Sequence, residues 1–134
     1  MNESKVLKLN TIFIVGAVGY YFIEVLFRGH SHWSMALCGG ICLVGIYYIN
    51  QKFSHMPYGI RALIGAALIT TVEFTAGCIL NVWLGWNVWC YSNLPLNFMG
   101  QISLLFSCIW FFLSFGVCLI FSLIERKRKK IDTN

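Results

Sequence analysis

Apolar residues fall into four long runs, 9–27, 33–49, 60–80 and 101–124, and the charged residues other than Glu24, Arg61 and Glu73 lie outside them. Each run has about the 20 residues needed to cross a hydrocarbon core of about 30 Å at about 1.5 Å per residue. The pattern predicts four transmembrane helices. Small residues recur along them: Gly16, Ala17 and Gly19 in the first, Ala36, Gly39, Gly40 and Gly45 in the second, and Gly65, Ala66, Ala67 and Gly77 in the third, while Gly100 precedes the fourth. Gly39, Gly40, Gly77 and Gly100 are the expected points of close packing, because absent side chains let two backbones meet. The first break, Gly29-His30-Ser31-His32, is a short connector, and the second, 51–59 with Pro57, reads as a turn. The third, 82–100, carries no formal charge and holds Trp83, Trp86 and Trp89. It is expected as a long structured outer loop between helices 3 and 4, at the headgroups or dipping back into the protein. Trp33 and the loop tryptophans are expected as interfacial anchors.

Composition agrees with a membrane protein. Of 134 residues, 58% are hydrophobic and only 11% charged, against about 25% charged in a usual soluble domain. One domain this small could not hide so much apolar surface in water. The fold class is therefore all-α: a polytopic membrane protein forming a single membrane domain over residues 1–134, with a basic tail at 125–134. The stretch from Met1 to Lys8 resembles the start of a signal peptide, but the apolar run behind it is too long for one and lacks a cleavage site, so it is expected to be retained.

The net charge of +5 does not point to nucleic acid, because five of the ten basic residues are Arg126 to Lys130, directly after the last run. Membrane lipids are the expected partners, with anionic headgroups at that tail contributing about 1 kcal/mol per charge. Lys5, Lys8, Lys52, Arg61 and the tail place nine of the ten Lys and Arg on one side of a four-span topology, leaving only Arg28 on the other. The positive-inside rule then puts both termini in the cytoplasm of a multi-pass protein of the cell membrane. Arg61, at a helix start, is expected to snorkel to the interface. Helix, connector and helix occur twice in the same sense, each time with an acid in the outward-going helix, which suggests two hairpins in a parallel repeat.

Candidate chemistry is sparse. Glu73 lies within an apolar run, where a charge near the bilayer centre costs at least about 2.5 kcal/mol. It is either a proton, cation or substrate counter-charge site, or an acid paired with Arg28 that pins two helices. Glu24 and Arg28 are four residues apart, on one helix face, and can neutralise each other. These three, with His30, His32, Asn81, Tyr91 and Asn97, fall at one level and are expected to form an outward-facing polar pocket. His30 and His32 alone do not make a metal site, and six cysteines, five of them in apolar runs, lack zinc-ligand spacing and should stay reduced. No cofactor and no metal is expected. Glu and His could do acid-base work on a lipid, but no nucleophile or metal set accompanies them, so the expectation is that the protein is not an enzyme.

Three stretches carry a resemblance: Glu24 to Met35, centred on Arg28-Gly29-His30-Ser31-His32-Trp33, running on to Gly39-Gly40; Glu73-Phe74 with Gly77; and Trp89-Cys90-Tyr91-Ser92-Asn93-Leu94-Pro95-Leu96-Asn97 followed by Gly100-Gln101-Ile102. Together they resemble the small integral membrane proteins of the Putative ABC-transporter type IV, or CmpB-like, family, with Cys90 where the family pattern leads one to expect Asp before the Tyr. The resemblance implies a permease-like, transport-related protein. There is no Walker-type Gly-rich Lys-Ser/Thr loop in this chain. One four-helix subunit has little room for a pathway, so a homo-oligomer or larger membrane assembly is expected. The competing readings are a non-transporting structural or accessory protein, a holin-like pore former and, more distantly, a lipid-acting membrane enzyme.

Overall fold

A computed structural model describes residues 3–133. Four helices carry the chain: α1 (Glu3–Arg28), α2 (Trp33–Lys52), α3 (Tyr58–Gly77) and α4 (Leu104–Thr133). All four are long and apolar enough to cross a membrane, α3 being counted together with the π-helical turn Cys78–Trp83 that continues it. The 26 residues of α1 extend about 39 Å at about 1.5 Å per residue, more than the hydrocarbon core requires. Its polar first turns, which the hydropathy pattern left outside the helix, are the surplus.

Beyond the early start of α1, three departures of the helix limits from the apolar runs have a clear local cause. First, α4 continues through Arg126 to Lys130 to Thr133, where a basic tail was expected. Lys and Arg are good helix formers, and cations near a helix C-terminus are favoured by its dipole. Second, α4 begins at Leu104 and not at Gln101. A small antiparallel pair, β1 (Asn97–Phe98) with β2 (Ile102–Ser103), occupies the intervening residues, and the Ser103 hydroxyl accepts the Phe106 backbone N–H at 3.2 Å as an N-terminal cap. Third, α3 changes at Gly77 into the wider π turn, where the Leu84 N–H reaches back five residues to the Ile79 carbonyl at 2.9 Å.

α1 packs chiefly on α2 and α3 chiefly on α4, with α2 joining the two pairs. The α1–α2 contact is close because it is made of glycine: a Cβ on Gly39 would sit 2.6 Å from Tyr20 Cβ and 2.8 Å from the Gly16 carbonyl oxygen. Gly77 likewise leaves room for Gln101 and Trp89, whose atoms a Cβ would meet at 2.6 Å and 3.0 Å. Gly40 faces the Phe13 ring, and Gly100, at φ 71°, turns the β1–β2 hairpin against Ser92.

One end of the bundle gathers the start of α1, the end of α2, the start of α3 and the later turns of α4. Lys8 lies over the Tyr47 ring, Gln51 donates to Glu125, and the buried Asn50 amide donates to Ser122 at 3.3 Å. Arg61 does not snorkel outward. It is buried among these groups, bonding Asn50 Oδ1 at 2.8 Å, the Ser54 carbonyl at 2.9 Å and the Met56 carbonyl at 2.8 Å, with its guanidinium over the Tyr58 ring. The fork of a guanidinium matches several carbonyls at once, so it closes the α2–α3 turn from inside.

Apolar packing forms two clusters, one around Ile46, Ala66, Ile69, Trp110 and Cys118, the other around Met35, Leu80 and Trp89, and Tyr20 touches both. Glu73 lies where they meet.

Candidate functional site

The last turns of α3 project Glu73 inward, with 7% of its surface exposed. Its carboxylate takes two hydrogen bonds, both from neutral groups: the Tyr91 hydroxyl donates to Oε2 at 2.9 Å, and the Trp110 indole N–H donates to Oε1 at 3.3 Å. Tyr91 comes from the connector and stacks on Phe106, with ring centroids 4.8 Å apart. Burial, with the Glu73 carboxylate beside it, pushes the Tyr91 hydroxyl well above its ordinary range. It therefore keeps its proton at any physiological pH and remains a donor.

Arg28 does not pair with Glu73. Its guanidinium bonds Glu24 Oε2 at 2.9 Å and the Val88 carbonyl at 2.7 Å, tying α1 to the connector, while the Tyr20 hydroxyl donates to Glu24 Oε1 at 3.0 Å. The two buried acids, within electrostatic range of each other, are thus treated differently. Glu24 has a cation; Glu73 has only neutral donors.

Glu73 also lines a cavity of about 210 Å³ between the helix pairs. It exists because α1 packs on α2 and makes little contact with α3 or α4 beyond the Tyr20–Trp110 ring pair, whose centroids are 6.1 Å apart. Its walls are aliphatic side chains, Met35, the thiols of Cys38 and Cys42, and the rings of Tyr20, Trp89 and Trp110; Glu73 is the one charged residue among them. The exposed lining residues Val15 and Ile23 on α1 and Leu113 on α4 mark an opening on the side where those helices part.

The other polar residues singled out in the sequence do structural work in the connectors. His32 accepts the Ser34 backbone N–H through Nδ1 at 3.2 Å, capping α2, and its ring packs with Trp33 and Trp86. Asn81 accepts the Val88 N–H at 2.6 Å and donates to Gln101 at 2.8 Å. Asn97 donates to the Leu94 carbonyl at 2.8 Å and accepts the Gly100 N–H at 3.0 Å, holding the loop turn. His30 stands exposed between α1 and α2. Glu73, Tyr91, Glu24 and Arg28 therefore come together, whereas His30, His32, Asn81 and Asn97 do not reach the carboxylate.

Two partners were not singled out from the sequence. Trp110 is one aromatic in a run rich in them, and Tyr20 lies four residues before Glu24, a helical spacing that could have suggested their bond. Trp89 is buried, its indole donating to the Gln101 carbonyl at 3.0 Å, unlike Trp33, Trp83 and Trp86, which are exposed. The six cysteines are free thiols.

A family model described as Putative ABC-transporter type IV matches residues 11–134, which include all four helices but the first turns of α1. The chain belongs to this family. No curated protein and no solved structure matches it. The match covers both the Glu24–Arg28 pair and the Glu73–Tyr91–Trp110 cluster, so the site lies within the matched residues.

Proposed function

We propose that this family member is a permease-like, transport-related membrane protein in which Glu73 is the site that takes a proton or a small cationic solute. The observation that carries the reading is the contrast between the acids: Arg28 is bonded to Glu24, so the carboxylate of Glu73, a residue that lines the cavity, has neutral donors and no positive partner. A buried charge without a cation is costly, and a transported cation or proton would supply what is missing. The basic residues at one end of the bundle support an orientation with both termini in the cytoplasm of the cell membrane, and the two helix pairs support a parallel repeat. Exposed apolar surface along all four helices leaves room for a homo-oligomeric or larger assembly.

The test is flux into proteoliposomes carrying a trapped pH-sensitive dye, with sodium, potassium and small ammonium ions offered in turn. Wild type should move protons or a cation, and Glu73→Gln should abolish that flux while inserting normally. Equal flux in the two proteins would refute the reading. A structural or accessory role is the second reading, favoured by the absorption of His32, Asn81 and Asn97 into connector hydrogen bonds. It predicts no wild-type flux and a silent Glu73→Gln.

A further inference from the structure

The chemistry of the cavity narrows the class of occupant. Rings of Tyr20, Trp89 and Trp110 form part of its wall, aliphatic groups form most of the rest, and a single carboxylate supplies the charge. A hydrated inorganic ion is poorly served there. Calcium takes about six to eight oxygen ligands and magnesium about six, and among the described residues no group of three or more His, Cys, Asp or Glu side chains could hold a metal. An ion that keeps its water would in turn be surrounded by hydrocarbon. Aromatic faces and one carboxylate are instead what an organic ammonium group requires, since ring quadrupoles attract a weakly hydrated cation and desolvation strengthens the attraction.

Size and access agree with this chemistry. An apolar cavity of about 150 Å³ accepts benzene, so about 210 Å³ has room for one small ring bearing a compact cationic head. The exposed Val15, Ile23 and Leu113 at the opening are apolar, so entry past them selects a ligand that partitions into lipid.

We infer that the cavity between the helix pairs binds an organic monocation with an apolar body, its ammonium centre beside Glu73 and its apolar part against Tyr20, Trp89 and Trp110. This deepens the transport reading and rests on the same carboxylate. Proton and ligand compete for that carboxylate, so affinity falls as pH is lowered through its titration. The titratable and charged groups facing it are Tyr20 and Glu24 of α1, Cys38 and Cys42 of α2, and Tyr91 of the connector, while Arg28 is held on Glu24. From α4 it meets the Trp110 indole.

The experiment follows tryptophan emission of the protein in lipid nanodiscs during titration with benzyltrimethylammonium. Controls are neopentylbenzene, its uncharged isostere, and sodium chloride at matched ionic strength. Saturable binding is expected for the ammonium ion alone, weaker at lower pH, with at least a tenfold loss of affinity in Glu73→Gln and retention in Glu73→Asp, which keeps the charge. Competition by the isostere at equal concentration, or unchanged affinity in Glu73→Gln, would overturn the inference and mark the cavity as a niche for lipid tails. Absence of ammonium binding alongside Glu73-dependent flux of protons or inorganic ions would overturn it while leaving the transport reading intact. Glu73-dependent ammonium binding without any flux would support it and refute transport.

Discussion

Glu73 and Glu24 are the same residue type at similar burial, and their partners separate their roles. Glu24 is satisfied within α1 by Tyr20 and Arg28, so its replacement should act on stability. The Glu73 carboxylate depends on Tyr91 and Trp110. Removing the Tyr91 hydroxyl with Tyr91→Phe withdraws a donor from a buried acceptor, at a cost of about 1–3 kcal/mol, and should lower the thermal unfolding midpoint in detergent. Since that hydroxyl keeps its proton well beyond neutrality, the contribution should be constant between pH 6 and 8 as far as Tyr91 is concerned; a midpoint difference from Tyr91→Phe that vanishes as pH rises from 7 to 8 would contradict the assignment. Arg61 carries the opposite end. Its Arg61→Met variant leaves Asn50 and the Ser54 and Met56 carbonyls without their donor, and a loss of about 2–4 kcal/mol is expected from several such groups together, read by the same melting experiment.

Among the elements, the α1–α2 pair is held at glycine distance. Gly39→Leu would drive its side chain into Tyr20 and the Gly16 backbone; overpacking of this kind costs about 1–3 kcal/mol, and the displaced Tyr20 would also release Glu24. Lowered yield of monodisperse protein, with flux lost even though Glu73 is untouched, is the expected result. The four helices and these glycines were legible in the sequence, because span length and small residues act locally along a helix. The two-residue strands and the π turn were not. They arise where Asn81 and Gln101 satisfy connector backbone and Ser103 caps α4, and such partners are chosen by tertiary contact and leave no periodic mark. Arg61 read as an interfacial cation for the same reason: its place in the sequence is at a helix start, while its burial comes from Asn50 and Ser122 on other helices. Part of the site was legible as well. Glu73 stood out as an acid in hydrocarbon, yet its company of neutral donors depended on which aromatic residues of α4 and the connector faced inward.

For the whole molecule, the contacts of Lys8, Asn50, Arg61 and Glu125 define one end, and Arg28, Trp86 and the connector define the other. Cys90, exposed on that connector, has a thiol drawn below its ordinary range by its hydrogen bond with Ser92. Under the proposed orientation a membrane-impermeant maleimide should label Cys90 in intact cells, whereas a cysteine placed by Lys129→Cys should react only after permeabilisation; the reverse pattern would invert the topology. The most direct measurement on the central claim concerns which carboxyl is chemically available inside the apolar bundle. Treatment of the membrane-embedded protein with a hydrophobic carbodiimide, which attacks carboxyls able to take a proton in apolar surroundings, should modify Glu73 and spare the Arg28-bound Glu24, as read by peptide mass spectrometry. Modification of Glu24 with Glu73 left intact would contradict the account.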